Sequence, residues 1–183
     1  MTRLLEEKRF GDLSVADITA EAGVTRSGFY FYFESKYAAL GFASAALWSE
    51  FVEVTGSYVR PDAESVGDFV SRVLRDALRI WQAHEALLIA SVEALPLNEE
   101  LARVWKEQVA RIAGLISQQV ERDRAAGLVT PVLDDVPALV RRLGEATMYL
   151  LYQDRSDRAG AAASEETVEV LKQIWLASIG GRA

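Results

Sequence analysis

The 183-residue sequence contains no cysteine, which excludes disulfide frameworks, thiolate nucleophiles and cysteine-ligated zinc or iron–sulfur centres. It has one histidine, His84; multi-histidine metal sites are excluded as well, and few side chains remain for general base work near neutral pH. Long apolar runs are missing. The longest, around 40–48 and 86–92, are too short to cross a bilayer, and no basic-then-apolar leader precedes them. These absences predict a cytoplasmic protein with no membrane partner. With no Gly-rich phosphate loop and no paired-carboxylate motif on a helix, the sequence nominates no catalytic residue, no metal ligand and no cofactor, and predicts that the protein is not an enzyme. Positive charge is also in short supply, 20 Lys/Arg against 27 Asp/Glu for a net charge of −7. That balance argues against coating nucleic acid by charge alone, but it leaves room for a local DNA-reading patch.

What is present is apolar surface in helical register. Apolar residues make up 50% of the chain and charged residues 26%, enough to bury a real core in one domain, or in a medium core with a small module attached. Only four prolines and twelve glycines punctuate it, and the segments between them show helical rather than alternating spacing, so the predicted fold is all-α. Acceptor side chains mark helix starts at Ser14, Thr25, Ser35, Asp62, Asn98, Asp134/Asp135 and Ser164. Gly23, Gly127 and Gly180-Gly181 mark ends, and Pro96 interrupts a helix. The spacing predicts helices over 2–8, 14–21, 25–32, 36–57, 63–83, 85–94, 98–126, 135–154 and 164–179, with 159–163 as a loop. Helices before about Leu40 are much shorter than those after it. This change predicts a three-helix N-terminal module, residues 1–45, with an apparently truncated first helix, on a larger helical body, residues 46–183.

The stretch from Ser14 to Leu40, SVADITAEAGVTRSGFYFYFESKYAAL, carries the chemistry. Val15, Ile18 and Ala22 form one apolar face, Gly23 makes a sharp turn, Val24 is expected in the core, and a second short helix starts at Thr25. Two short amphipathic helices joined by a tight glycine turn make a helix-turn-helix, whose second helix enters the major groove of double-stranded DNA with its N-terminal residues on base edges. Arg26 can give a guanine two hydrogen bonds, and Thr25 and Ser27 suit phosphates or bases. Gly28 lets the backbone lie close to DNA. Tyr30 and Tyr32 can offer hydroxyls to the sugar-phosphate backbone while Phe29 and Phe33 face inward. Lys36, just after the cap at Ser35, supplies a cation for another phosphate, and Ser14 completes the candidate DNA-binding set. Singly, Tyr30, Tyr32 and Lys36 read equally well as packing or surface residues; together, in this order, they point to DNA.

At these residues the sequence resembles the TetR family of bacterial transcriptional regulators, through Ala22-Gly23-Val24-Thr25, Gly28-Phe29-Tyr30, Tyr32-Phe33, Ser35-Lys36 and Leu40. The aromatic run 29–33 and Gln-Ile-Trp-Leu-Ala-Ser-Ile near the end also resemble the ethionamide-resistance repressor-like subgroup. Two features depart from the family pattern. The first helix begins abruptly at Thr2, and residues 1–45 carry five Lys/Arg against six Asp/Glu, which predicts weak operator binding because nonspecific affinity depends on phosphate neutralisation.

The body offers more apolar surface than one core needs. Val66, Val70, Leu74, Ala77 and Trp81 share one stripe; Leu101, Trp105, Val109, Ile112 and Ile116 share another. Such stripes make a core, or some of them line a cavity. The resemblance implies a small-molecule site in this body, and Trp81, Trp105 and Trp175 with Val70, Leu74, Val109, Ile112, Gly144, Met148 and Tyr149 would line a large apolar pocket for a lipophilic effector. The last two helices are apolar on more than one face, so Leu139, Leu143, Leu150, Leu171 and Ile174 are expected at a homodimer interface. A two-fold dimer would set two recognition helices roughly 34–36 Å apart and read a palindromic operator. His84 reads as a structural or C-capping side chain. Glu145 either pairs with Arg141 or Arg142 or anchors a ligand. The functional expectation is a ligand-responsive homodimeric transcriptional repressor; the alternative is a helical small-molecule carrier or an enzyme with a vestigial helix-turn-helix.

Overall fold

The computed structural model describes residues 1–53, 58–156 and 161–181, apart from the side chains of 46, 52, 53 and 161–163. Every regular element among them is helical: α1 (Thr2–Glu7), α2 (Val15–Ala22), α3 (Arg26–Tyr32), α4 (Lys36–Glu53), α5 (Val66–Ala83), α6 (Glu85–Ala94), α7 (Glu99–Ala125), α8 (Val136–Ser156) and α9 (Ala161–Ile179), with 3-10 turns at Phe10–Asp12 and Leu95–Leu97. Local capping chemistry fixes many of these boundaries. Ser14 and Asp17 form a reciprocal capping box at the start of α2. The Asn98 side chain accepts the Leu101 N–H at 2.9 Å, satisfying a donor that the first turn of α7 leaves free. Ser65, not Asp62, caps α5 by accepting the Asp68 N–H at 3.0 Å, which starts that helix three residues later than the spacing predicts.

Two glycines are required by backbone geometry. Gly23 has φ 66° at the end of α2, and the Val24 N–H reaches back to the Thr19 carbonyl at 3.1 Å, a left-handed helix stop that disfavours any side chain. Gly180 has φ 67°, and a Cβ there would stand 2.1 Å from the Thr130 carbonyl oxygen, so α9 can end against the 129–131 segment only with glycine. At its other end α9 departs from expectation. Residues 161–163 are helical rather than looped, and Ser164, expected as the cap, is fully buried inside the helix. Residues 159 and 160 of the expected loop, and 54–57 at the expected end of α4, lie outside the described residues.

In the body, α5 packs on α9, α9 on α8, and α8 on α7; α4 lies across α6 and α7, while α1 and the Phe10–Asp12 turn rest on α6. The core is one continuous cluster running from Leu4 to Ile179. Phe10, Leu13, Phe29 and Leu40, each at most 4% exposed, tie the short N-terminal helices to α4, and each contributes about 1.5–3 kcal/mol relative to exposure. A polar staple holds the α4–α5 connection to α7. Arg60, with an 8% exposed side chain, donates to both Asp123 carboxylate oxygens at 2.7–3.1 Å and to the Glu64 carbonyl at 2.6 Å. Gln119 donates to Asp123 at 2.9 Å and accepts from the Arg60 backbone N–H at 3.1 Å.

Candidate nucleic-acid interface and apolar cavity

The N-terminal module presents α3 to solvent. Thr25 caps it, accepting the Gly28 N–H at 3.0 Å, and Arg26, Ser27, Tyr30 and Tyr32 stand exposed along it while Phe29 is buried. The Arg26 guanidinium lies 5.7 Å from the centre of the Tyr30 ring, a cation–π contact that steadies a long side chain without occupying its donors. Gly28 has a reason of its own inside the protein: a Cβ there would come within 3.2 Å of the capping Thr25 oxygen. Phe31 is 81% exposed on the same helix. The sequence reading passed over it, although a phenylalanine between two outward tyrosines has little inward face to occupy.

Ser14 lies exposed at the start of α2. Its hydroxyl donates to the Asp17 carboxylate at 2.5 Å and its backbone N–H does so at 2.8 Å. These bonds, with Lys8 next to them, hold the Asp17 carboxyl far below the usual carboxylate range.

Two residues of this module are placed differently from expectation. Val24 is 48% exposed rather than buried, because the left-handed turn at Gly23 sends the chain outward before α3 begins; Ala22 is exposed with it. Lys36, expected to offer a cation to a phosphate, is turned onto its own module instead. Its ammonium donates to the carbonyls of Phe10 at 3.0 Å, Gly11 at 3.1 Å and Leu13 at 2.8 Å, and it sits 4.9 Å from the Phe10 ring centre. An ammonium has three N–H donors, and all three are used to bind the turn before α2 to the start of α4.

The body holds an apolar cavity of about 50 Å³ among α4, α5, α7, α8 and α9. Six of the expected ligand residues line it: Leu74, Val109, Ile112, Gly144, Met148 and Trp175. Four do not. Trp81 and Val70 are buried in helix packing away from it, Trp105 stands behind Trp48 with ring centres 4.9 Å apart, and Tyr149 is 56% exposed. Trp48, Phe51, Tyr58, Val73, Ala77 and Thr147 are lining residues that sequence reasoning missed; Trp48 and Phe51 sat within a long apolar helix whose faces were not assigned.

The polar atoms that Thr147, Trp175 and Tyr58 bring to the cavity are already paired. Thr147 Oγ1 accepts the Trp175 Nε1–H at 3.0 Å and donates to the Leu143 carbonyl at 2.8 Å. The Tyr58 hydroxyl donates to the Phe51 carbonyl at 3.2 Å, and burial, with the nearby Asp76 charge, pushes its pKa up to about 12. The pocket is therefore far smaller than expected, because aromatic side chains fill it.

The dimer expectation also needs revision at the level of residues. Leu139, Leu143 and Leu171 are at most 8% exposed and Leu150 is half-buried, so they pack within their own chain. The outward apolar stripe is Ala146 and Tyr149 on α8 with Val170, Ile174 and Ala177 on α9; of the five expected residues only Ile174, 42% exposed, belongs to it. Glu145 is a surface partner of Arg142 at 2.6 Å. His84 joins α5 to α6 and meets Glu50 of α4 at 2.6 Å.

Comparison with known proteins agrees with this architecture. Residues 2–41 match the family model of bacterial regulatory proteins of the tetR family, and residues 70–181 match that of the C-terminal domain of the transcriptional regulator EthR. The chain is 33% identical over 187 residues to the HTH-type transcriptional regulator EthR of Mycolicibacterium smegmatis, covering 98% of this chain and 82% of that one. It is 26% identical over 193 residues to the Mycobacterium tuberculosis protein of the same description, covering 97% and 82%. Among solved structures, a TetR-family transcriptional regulator from Syntrophomonas wolfei superposes with TM-score 0.75 at 18% identity, covering 98% of this chain and 91% of that one. A tetR-family regulatory protein from Rhodococcus follows with TM-score 0.73 at 13% identity, covering 100% and 93%. The chain belongs to the TetR family of bacterial transcriptional regulators, with a C-terminal body of the EthR type.

Proposed function

We propose that the protein is a homodimeric repressor that α3 holds on a palindromic operator and that an apolar small molecule releases. The observation that carries this reading is the outward row Thr25, Arg26, Ser27, Tyr30 and Tyr32 on a short helix whose inner face is locked by Phe29. Arg26 is placed to read a guanine edge, while Thr25, Ser27 and the two tyrosine hydroxyls hold register on the phosphates. The α2 N-terminus at Ser14 faces the same strand, and Lys36 acts from behind by fixing the angle between α2 and α4.

The outward stripe Ala146, Tyr149, Val170, Ile174 and Ala177 supports pairing of two copies through α8 and α9, since a second apolar face on a packed helix lowers its free energy only when covered. The effector reading rests on the cavity. Small-molecule sites commonly measure roughly 300–1000 Å³, against about 50 Å³ here. An occupant must therefore part α4 from α5, α7 and α8, and α4 is the helix whose first residue braces the DNA-reading module. The ligand thus favours a spread form and the operator a closed one, which couples the two sites.

Gel retardation with the DNA upstream of the protein's own gene tests the reading. Sequence-specific retardation that is lost in an Arg26→Ala/Tyr30→Ala double variant of unchanged thermal stability is expected. No retardation at low salt by wild-type protein contradicts it.

A further inference from the structure

Two hollows of the body share Trp48 as a wall. That indole, 5% exposed, lines the cavity on one side and, on the other, a groove of about 290 Å³ between α4 and α7 that opens to solvent. Gly41, Ala45 and Ser49 on α4 form one wall of the groove; Val104, Gln108 and Arg111 on α7 form the other. Trp48 therefore borders both a recess lined by apolar side chains and a groove that carries a cation and an amide.

The two compartments differ sharply in polarity. Inside, the Tyr58 and Thr147 hydroxyls and the Trp175 indole N–H are spent on one another and on backbone carbonyls, so a polar group carried inward would lose its water and find few partners. Outside, Arg111 is exposed and has no ion pair or hydrogen bond among the described residues, whereas the other arginines of α7 are engaged: Arg103 with Glu100 and Glu107, Arg122 with Gln119, Arg124 with Asp134. Gln108 and Arg111 lie three residues apart on one helix, so their donors sit on adjacent turns and can converge on one small acceptor. A guanidinium fork matches a carboxylate with two parallel hydrogen bonds.

We propose that the groove and the cavity form one site for a slender anionic amphiphile, whose carboxylate rests on Arg111 and Gln108 and whose unbranched tail passes the displaced Trp48 ring into the space among Leu74, Val109 and Met148. The inference rests on the effector reading above and names its ligand class. It also makes Trp48 the moving part: the indole must swing for the tail to enter, and it belongs to α4, the helix that carries the Lys36 brace. Binding thus acts on the DNA-reading module through the helix the tail pushes.

Dodecanoate and dodecanol, which share a tail and differ in the head group, test the site in the full chain below their micelle concentrations, by intrinsic tryptophan fluorescence and calorimetry. Dodecanoate is expected to bind about tenfold more tightly than the alcohol, the scale of a charge-assisted hydrogen bond. Arg111→Gln removes that preference by weakening dodecanoate far more than dodecanol, while native circular dichroism and an unchanged melting temperature report that the variant is folded. Ala45→Phe, which fills the groove from an exposed position, weakens both ligands. Equal affinity for acid and alcohol in the wild type, a preference that survives Arg111→Gln, or binding indifferent to Ala45→Phe in a variant with native circular dichroism each overturns the proposal. Retardation of the upstream DNA, measured on the same samples, keeps the two readings apart. Operator binding without dodecanoate binding removes the amphiphile site alone. Dodecanoate binding with the stated preference but no retardation upholds the site and removes the regulator.

Discussion

Lys36 shows how a residue can fit a functional motif and do something else. A lysine just after a helix cap, beside a recognition helix, suggests a phosphate contact, yet its ammonium is committed to three carbonyls 23–26 residues earlier in the chain. The two roles predict different measurements. As a brace, Lys36→Met costs about 1–3 kcal/mol in urea unfolding, the range for hydrogen bonds to a charged group, and leaves the salt dependence of DNA binding unaltered. As a phosphate contact, it would leave stability untouched and reduce the slope of log K against log salt by about 0.9 per protomer. Asp17 makes a second residue-scale case. Its carboxyl is held below its ordinary range in the folded protein, first by the Ser14 hydroxyl, so its contribution is complete above the unfolded aspartate pKa of about 3.9 and fades as pH falls toward the lower folded value. Asp17→Asn is expected to flatten the acid limb of a stability–pH curve and to leave the neutral region sloping as before.

At the scale of elements, the α4–α5 connection and the end of α9 depend on single contacts. Asp123→Ala leaves the Arg60 guanidinium, 8% exposed, without its carboxylate, and a buried ion pair broken on one side costs about 3–5 kcal/mol; restoring part of that loss with Arg60→Met in the same chain checks the cause. Gly180→Ala forces a side chain into a left-handed residue whose Cβ would lie 2.1 Å from a carbonyl oxygen, and a drop in melting temperature without change in helix content is expected.

The helices themselves were legible in the sequence because their signals are local: Ser14, Thr25 and Asn98 cap where they should, and Gly23, Gly127 and Gly180 take positive φ. The exposure of the α3 row was legible for the same reason, since its inward and outward residues lie within one short segment. Periodicity shows that α8 and α9 each have two apolar faces but not which face meets the rest of its own chain. Leu139, Leu143 and Leu171 therefore looked like interface residues and proved to be core. The cavity wall was legible by half for a related reason. Leu74 and Val109 belong to regular stripes, whereas Trp48 and Tyr58 reach the cavity through the way α4 and its connection cross the body.

For the whole molecule, the distribution of charge sets how it can hold DNA. Of the five cations before residue 46, Arg3 pairs with Glu21, Lys8 with Asp17, and Lys36 with carbonyls. That leaves Arg9 and Arg26 without an ion pair among the described residues. Two such cations per protomer give a dimer a slope of log K against log salt of roughly −4 or shallower, so affinity must come from base contacts and hydroxyls more than from charge; fluorescence anisotropy over a salt series measures it. Pairing through the outward stripe makes a separate prediction: Ile174→Glu converts a dimer to monomers by sedimentation and abolishes operator binding with α3 intact.

The central claim is that two copies of α3 read one duplex, and hydroxyl-radical footprinting of the upstream DNA tests it most directly. The account predicts two protected patches related by a two-fold axis, about one helical turn apart, that vanish with Arg26→Ala/Tyr30→Ala in folded protein. Protection that lacks that symmetry, or that persists when Arg26 and Tyr30 are gone, contradicts it.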